Sequence, residues 1–116
     1  MGVMVDTIIL FGYEMDFEEY KEAGGYEEFS NMRYRDGEEG ELVTVSDGRG
    51  GEYFYVGYLV GLKKQRDGMR FNERYRLCEE TYEKYENKEG LELFMEDYEF
   101  NSKGEDPCFH VFTHCH

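Results

Sequence analysis

Residues 42–62 read LVTVSDGRGGEYFYVGYLVGL, and their reading decides the fold. Leu42–Val45 is a short β-branched run, and Glu52–Leu62 is a longer run of aromatic and β-branched residues. Between them, Ser46-Asp47-Gly48-Arg49-Gly50-Gly51 has turn chemistry, because glycine adopts positive φ at little cost. Two such runs joined by a glycine-bearing loop of several residues predict a β-hairpin. In a regular strand, Gly57 and Gly61 share a face with Tyr53, Tyr55 and Leu59. Glycine at such positions predicts a bulge or the close approach of another element.

Upstream, Val3–Tyr13 (VMVDTIILFGY) is apolar on both faces, which suits a central strand covered on both sides. Asp16 opens a short helix, and Asp16 with Glu19 has capping-box spacing. Phe17 and Tyr20 share one face, and Gly24-Gly25 ends the run. Tyr26–Gly40 fits a second helical turn at YEEFSNM and a short edge strand in NMRYRDGEEGE. Downstream, Phe71, Tyr75, Cys78, Tyr82 and Tyr85 form an apolar stripe, which predicts an amphipathic helix over about Asn72–Lys88. That pattern buries the Cys78 thiol and puts Glu80, Lys84 and Lys88 in supporting pairs on the outer face. Gly90 marks a stop or a kink, and Leu91–Phe100 fits either a helical turn or a strand. After Pro107, Cys108–His116 alternates as a terminal strand. The order is strand, helix, strand, strand, helix, strand. It predicts a single α+β domain, residues 1–116, with an antiparallel or mixed sheet of about four strands and two helices on one face. That is the split βαβ, or ferredoxin-like, arrangement.

The chain has 27 acidic and 13 basic side chains, a net charge of -14 in 116 residues, together with 20 Tyr and Phe. The aromatics supply enough apolar surface for a core, so the composition describes a folded protein with an anionic surface and not a disordered acidic tail. The sign excludes direct binding to nucleic-acid phosphates or to an anionic membrane. No apolar run reaches transmembrane length, and no basic segment precedes an apolar one at the N-terminus. Three cysteines, at 78, 108 and 115, do not make a disulfide framework. These readings predict a cytoplasmic protein with reduced thiols.

Two constellations bear on function. Eleven acids lie in Glu14–Glu41 and twelve in Glu73–Asp106, separated by a basic island of Lys63, Lys64, Arg66, Arg70, Arg74 and Arg76. Carboxylates three or four apart on a helix lie about 5–6 Å apart, a spacing similar to that of DNA phosphates. A net charge of -14 also exceeds the magnitude of about 2–8 that solubility alone requires of a small domain. Glu18, Glu19 and Glu22 in the first helix, and Glu79, Glu83 and Glu86 in the second, are the expected anchors for a basic partner. That partner is expected to be a nucleic-acid-binding protein, and the mode of action DNA mimicry without catalysis. The second constellation is Cys108, His110, His114 and His116 on one face of the last strand, which offers zinc ligands of the preferred types. A strand rising ~3.3 Å per residue spreads them over more than 20 Å. A metal site at His110, His114 and His116 would therefore need a second chain or remote acids. Other uses of the chain remain open, among them an interaction surface built on Tyr26, Tyr34, Tyr53, Tyr55 and Tyr58. The DGRGGEY loop leads into a strand and lacks the ending of a phosphate-binding loop. No nucleophile motif is present, and the abundance of carboxylates removes any signal for an acid–base pair.

Gly12-Tyr13-Glu14-Met15-Asp16 at the end of the first strand, and the turn Asp47-Gly48-Arg49-Gly50-Gly51-Glu52-Tyr53, resemble those of small acidic proteins encoded by bacteriophages. The resemblance covers about half of the chain. It implies an accessory role, inhibition of a host or defence protein, and it carries over no functional residue.

Overall fold

The computed structural model describes residues 5–47, 50–65 and 77–115. Strand β1 (Val5–Met15) runs through the middle of a four-stranded sheet, as its apolar residues on both faces require. β2 (Leu42–Ser46) and β3 (Phe54–Gln65) form the hairpin, and β4 (Cys108–Cys115) is the terminal strand. Their order across the sheet is β2-β3-β1-β4, with every neighbour antiparallel, which is the order of the split βαβ arrangement. The Asp47 carboxylate organises the hairpin loop by accepting the Gly50 and Glu52 N–H groups at 3.0 and 3.1 Å.

Among the described residues there are four short α-helices: α1 (Phe17–Glu22) and α3 (Glu79–Glu86) fall on the two expected helices, α2 (Gly25–Phe29) on the expected second turn, and α4 (Gly90–Asp97) makes Leu91–Phe100 helical where a strand was the alternative. Two single 3-10 turns, Ser30–Met32 and Tyr34–Asp36, occupy the stretch that fitted a short edge strand. All four helices pack on one face of the sheet. There Tyr20, Phe29, Tyr85, Leu91 and Phe94 meet Ile9, Phe11 and Tyr13 of β1 and Phe54, Val56 and Tyr58 of β3. This core is largely aromatic; Phe29, for example, stacks among Tyr20, Phe54, Phe94 and Tyr98. The opposite face has a smaller core of Ile8, Leu10, Tyr34, Val43, Val45 and Leu59.

The sheet curls toward that smaller core. Tyr55 lies opposite Glu14, and Phe112 opposite Ile8, yet their rings stack with centroids 4.1 Å apart. Six residues of flat strand would separate them by roughly 20 Å. Gly12 and Gly57 face each other within the curl, where a Cβ on Gly12 would come within 2.0 Å of the Val56 carbonyl oxygen. The register also shifts between Ile9 and Leu10, which leaves Val60 as the extra residue of a bulge. Both expected roles of glycine are thus present in β3, but the bulge pairs Gly61 with Ile9 and takes it off the face of Leu59.

Three local expectations are corrected. Asp16 makes no side-chain cap to α1, because its carboxylate pairs with Lys103 at 2.9 Å. Gly24 and Gly25, with φ of 122° and 62°, follow the end of α1 as expected, and α2 begins at once from Gly25. Cys78 has an extended backbone ahead of α3 and an exposed thiol, so no helix runs through it and it is not part of a buried stripe. Glu80 and Lys84 are exposed as expected but make no ion pair among the described residues, and the Lys84 ammonium sits 5.3 Å from the Tyr85 ring centre; Lys88, just beyond α3, is half-buried 5.2 Å over Tyr58 and donates to the Gly40 carbonyl. Residues 72–76 of the expected helix, with Tyr75, lie outside the described residues, as do Phe71, Gly48, Arg49, the first residues of the expected first strand (Val3 and Met4), and His116. No helix among the described residues is long and apolar enough to cross a membrane.

Candidate functional site

Acids from both blocks lie on the exposed side of the helices. On α1, Glu18 and Glu22 are exposed and Glu19 is half-buried. Glu18 pairs with Lys21 at 3.0 Å, and Glu19 Oε2 is buried without a hydrogen-bond partner. On α3, Glu79, Glu83 and Glu86 are all exposed and follow the i, i+4, i+7 spacing of one helical face. Among the described residues none of the three carboxylates has an ion pair or hydrogen bond, and the ammonium groups of Lys84 and Lys88 lie over the Tyr85 ring instead.

The acids of α4 lie next to those of α3. A hollow of about 160 Å³ is bordered by Glu86 of α3, Glu92 of α4 and Asp106. A second hollow, of about 410 Å³, is bordered by Glu92, Glu96 and Glu99 around Tyr13 and Phe100. Beyond it, the Tyr98 hydroxyl donates to Glu28 of α2 at 2.5 Å, and Lys103 reaches Asp16 ahead of α1. Glu92 and Glu96 are therefore acids of the same surface that the sequence reading did not single out. Their spacing was visible, but the ambiguity of Leu91–Phe100 between helix and strand hid which face they occupy.

The tyrosines beneath register this anionic field. Burial raises the Tyr13 phenol, and Glu92 and Asp106 raise it further. Tyr82 is shifted upward by burial and then by Glu86 and Asp106, and Tyr85 by burial and then Glu39. The hydrogen bond to Glu28, with burial and the same carboxylate's charge, holds Tyr98 at about 12. Of the basic island, Lys63 is half-buried at the end of β3, and Arg66, Arg70, Arg74 and Arg76 lie outside the described residues.

The opposite face carries the histidines. His110, Phe112 and His114 lie opposite Leu10, Ile8 and Asp6 of β1. His114 is buried, and its Nδ1 hydrogen-bonds the Tyr53 hydroxyl at 2.6 Å. His110 Nε2 donates to the Gly12 carbonyl at 3.1 Å, with the Cys108 sulfur 3.5 Å away. Phe112 stands between the two rings in sequence, and no group of three or more His, Cys, Asp or Glu gathers among the described residues. Beside His114, the fully buried Asp6 accepts the Tyr34 hydroxyl at 2.5 Å, with Arg35 Nε at 3.6 Å. Of the tyrosines considered as an interaction surface, Tyr34 and Tyr58 are buried, Tyr53 and Tyr55 are half-buried, and Tyr26 is exposed. The chain matches no protein-family model, and no significant match exists among curated proteins or solved structures.

Proposed function

We propose that this chain is a stoichiometric binding protein whose acidic helical layer occupies the basic, nucleic-acid-binding surface of another protein. The carrying observation is the Glu79, Glu83 and Glu86 face of α3, exposed, unpaired among the described residues and adjoining Glu92 across a shared hollow. Carboxylates left without internal cations keep their charge for a partner, and a cleft lined by Lys and Arg is drawn to them over long range. The action is occupation of a surface, with no turnover and no cofactor, in the cytoplasm. The resemblance to acidic phage proteins makes the partner a host or defence protein.

The test is capture of partners from a nuclease-treated bacterial lysate on the immobilised protein at low and moderate salt. Retention of a basic nucleic-acid-binding protein, weakened by salt and displaced by added DNA, is the expected result. Glu79→Lys, Glu83→Lys and Glu86→Lys together are expected to abolish that capture, while circular dichroism stays that of the parent. Capture that survives both the triple reversal and competing DNA overturns the reading.

A further inference from the structure

Strand β4 is an outer strand, and among the described residues nothing pairs with its free edge. An unpaired edge presents a row of N–H and C=O groups that another strand can satisfy. Proteins protect long edges with charge, proline, a bulge or brevity. The opposite edge shows such protection: β2 has five residues, and Arg33 bridges to Thr44 on its outer side. β4 has none. Its eight residues, CFHVFTHC, include no Lys, Arg, Asp, Glu, Gly or Pro, in a chain of which 34% is charged. Its pairing with β1 runs without a register shift, and Val111 at its middle is 60% exposed.

We propose that β4 is the pairing edge for a second copy of this chain, in an antiparallel β4–β4 contact centred on Val111. Two sheets of four strands become one of eight. The strand's own sequence argues for a second copy. A two-fold axis at Val111 sets that residue against its equivalent, Phe109 against Thr113, and His110 against Phe112. No like charges meet across the contact, although each chain carries a net charge of -14. Because the axis is perpendicular to the sheet, both helical layers lie on the same side of it. These anionic layers repel, so added salt screens the repulsion and tightens the dimer. Salt weakens the partner contact proposed above, so the two ideas stand or fall separately.

Sedimentation equilibrium of the full chain, under reducing conditions and at low and moderate salt, tests the contact. A reversible dimer strengthened by salt is expected. Val111→Lys and Thr113→Lys, both at exposed positions, are each expected to raise the dissociation constant by at least about tenfold. Leu93→Lys, at an exposed apolar position on α4, is expected to leave it unchanged. A monomer at every concentration and salt, or equal weakening by Leu93→Lys, overturns the proposal.

Discussion

Gly12 and Gly57 show how much a single missing side chain matters. A Cβ on Gly57 would lie 2.3 Å from the Phe11 carbonyl oxygen, and backbone cannot yield there as a flexible side chain would. Gly57→Ala is expected to cost about 2–3 kcal/mol in urea unfolding, the upper range for overpacking. Gly104→Ala is the informative control, because nothing lies near its Cβ and its cost comes from positive φ alone. Tyr98 gives a pH-dependent counterpart. Its folded pKa of about 12 lies above the ordinary value of 10.0, so the neutral phenol is the form the fold favours. The resulting stabilisation is complete below pH 10 and is lost as pH rises through about 12. Tyr13, Tyr34, Tyr55, Tyr82 and Tyr85 shift in the same direction, so unfolding is expected to steepen above pH 10. Absorbance titration of the phenolates checks this, and Glu28→Gln should move one late-titrating tyrosine back toward the ordinary range.

Among the elements, the end of α3 is tied down by Lys88, just beyond it, in a way that charge spacing does not convey. Lys88 joins the helical layer to the loop before β2 through the Gly40 carbonyl, while its ammonium lies over the Tyr58 and Tyr85 rings. The stem packs on the rings and the charge meets their negative faces. Lys88→Met keeps most of the stem and removes the charge and the hydrogen bond, and is expected to cost about 1–2 kcal/mol. The loss should change little with salt, unlike that of a surface ion pair, because the partners are rings and a carbonyl. Denaturant unfolding of parent and variant at two salt concentrations measures both the loss and its salt response. Tyr58 extends the same connection, since its hydroxyl accepts the Leu91 N–H at 2.8 Å near the start of α4. In the sequence Tyr58 is a candidate for a surface ring but better read as ordinary sheet packing, and the structure buries it.

For the whole molecule, the dominant quantity is the net charge of -14. The described ion pairs, Glu18–Lys21, Asp16–Lys103 and Asp6–Arg35, neutralise little of it. Self-repulsion should therefore lower the melting temperature at low ionic strength, and moderate salt should raise it by several degrees. The triple reversal at Glu79, Glu83 and Glu86 is expected to raise the low-salt melting temperature and to reduce that salt response. A calorimetric salt series on parent and triple variant measures both. If the parent's melting temperature is indifferent to salt, the acids are balanced by cations elsewhere in the chain.

The sequence by itself determined the hairpin, the central position of β1, the terminal strand and the placing of acids on helical segments. Each is written in a local period or a local turn, where the nearest neighbours along the chain are the physical cause. Tertiary structure decided what required partners far away in sequence. Tyr53 meets His114 across 61 residues, Tyr98 meets Glu28 across 70, and Lys103 draws Asp16 from its cap across 87. The curl that brings Tyr55 onto Phe112 comes from Gly12 and Gly57 on different strands meeting at one point. Periodicity within either strand cannot encode that meeting, because it exists only once the sheet has formed.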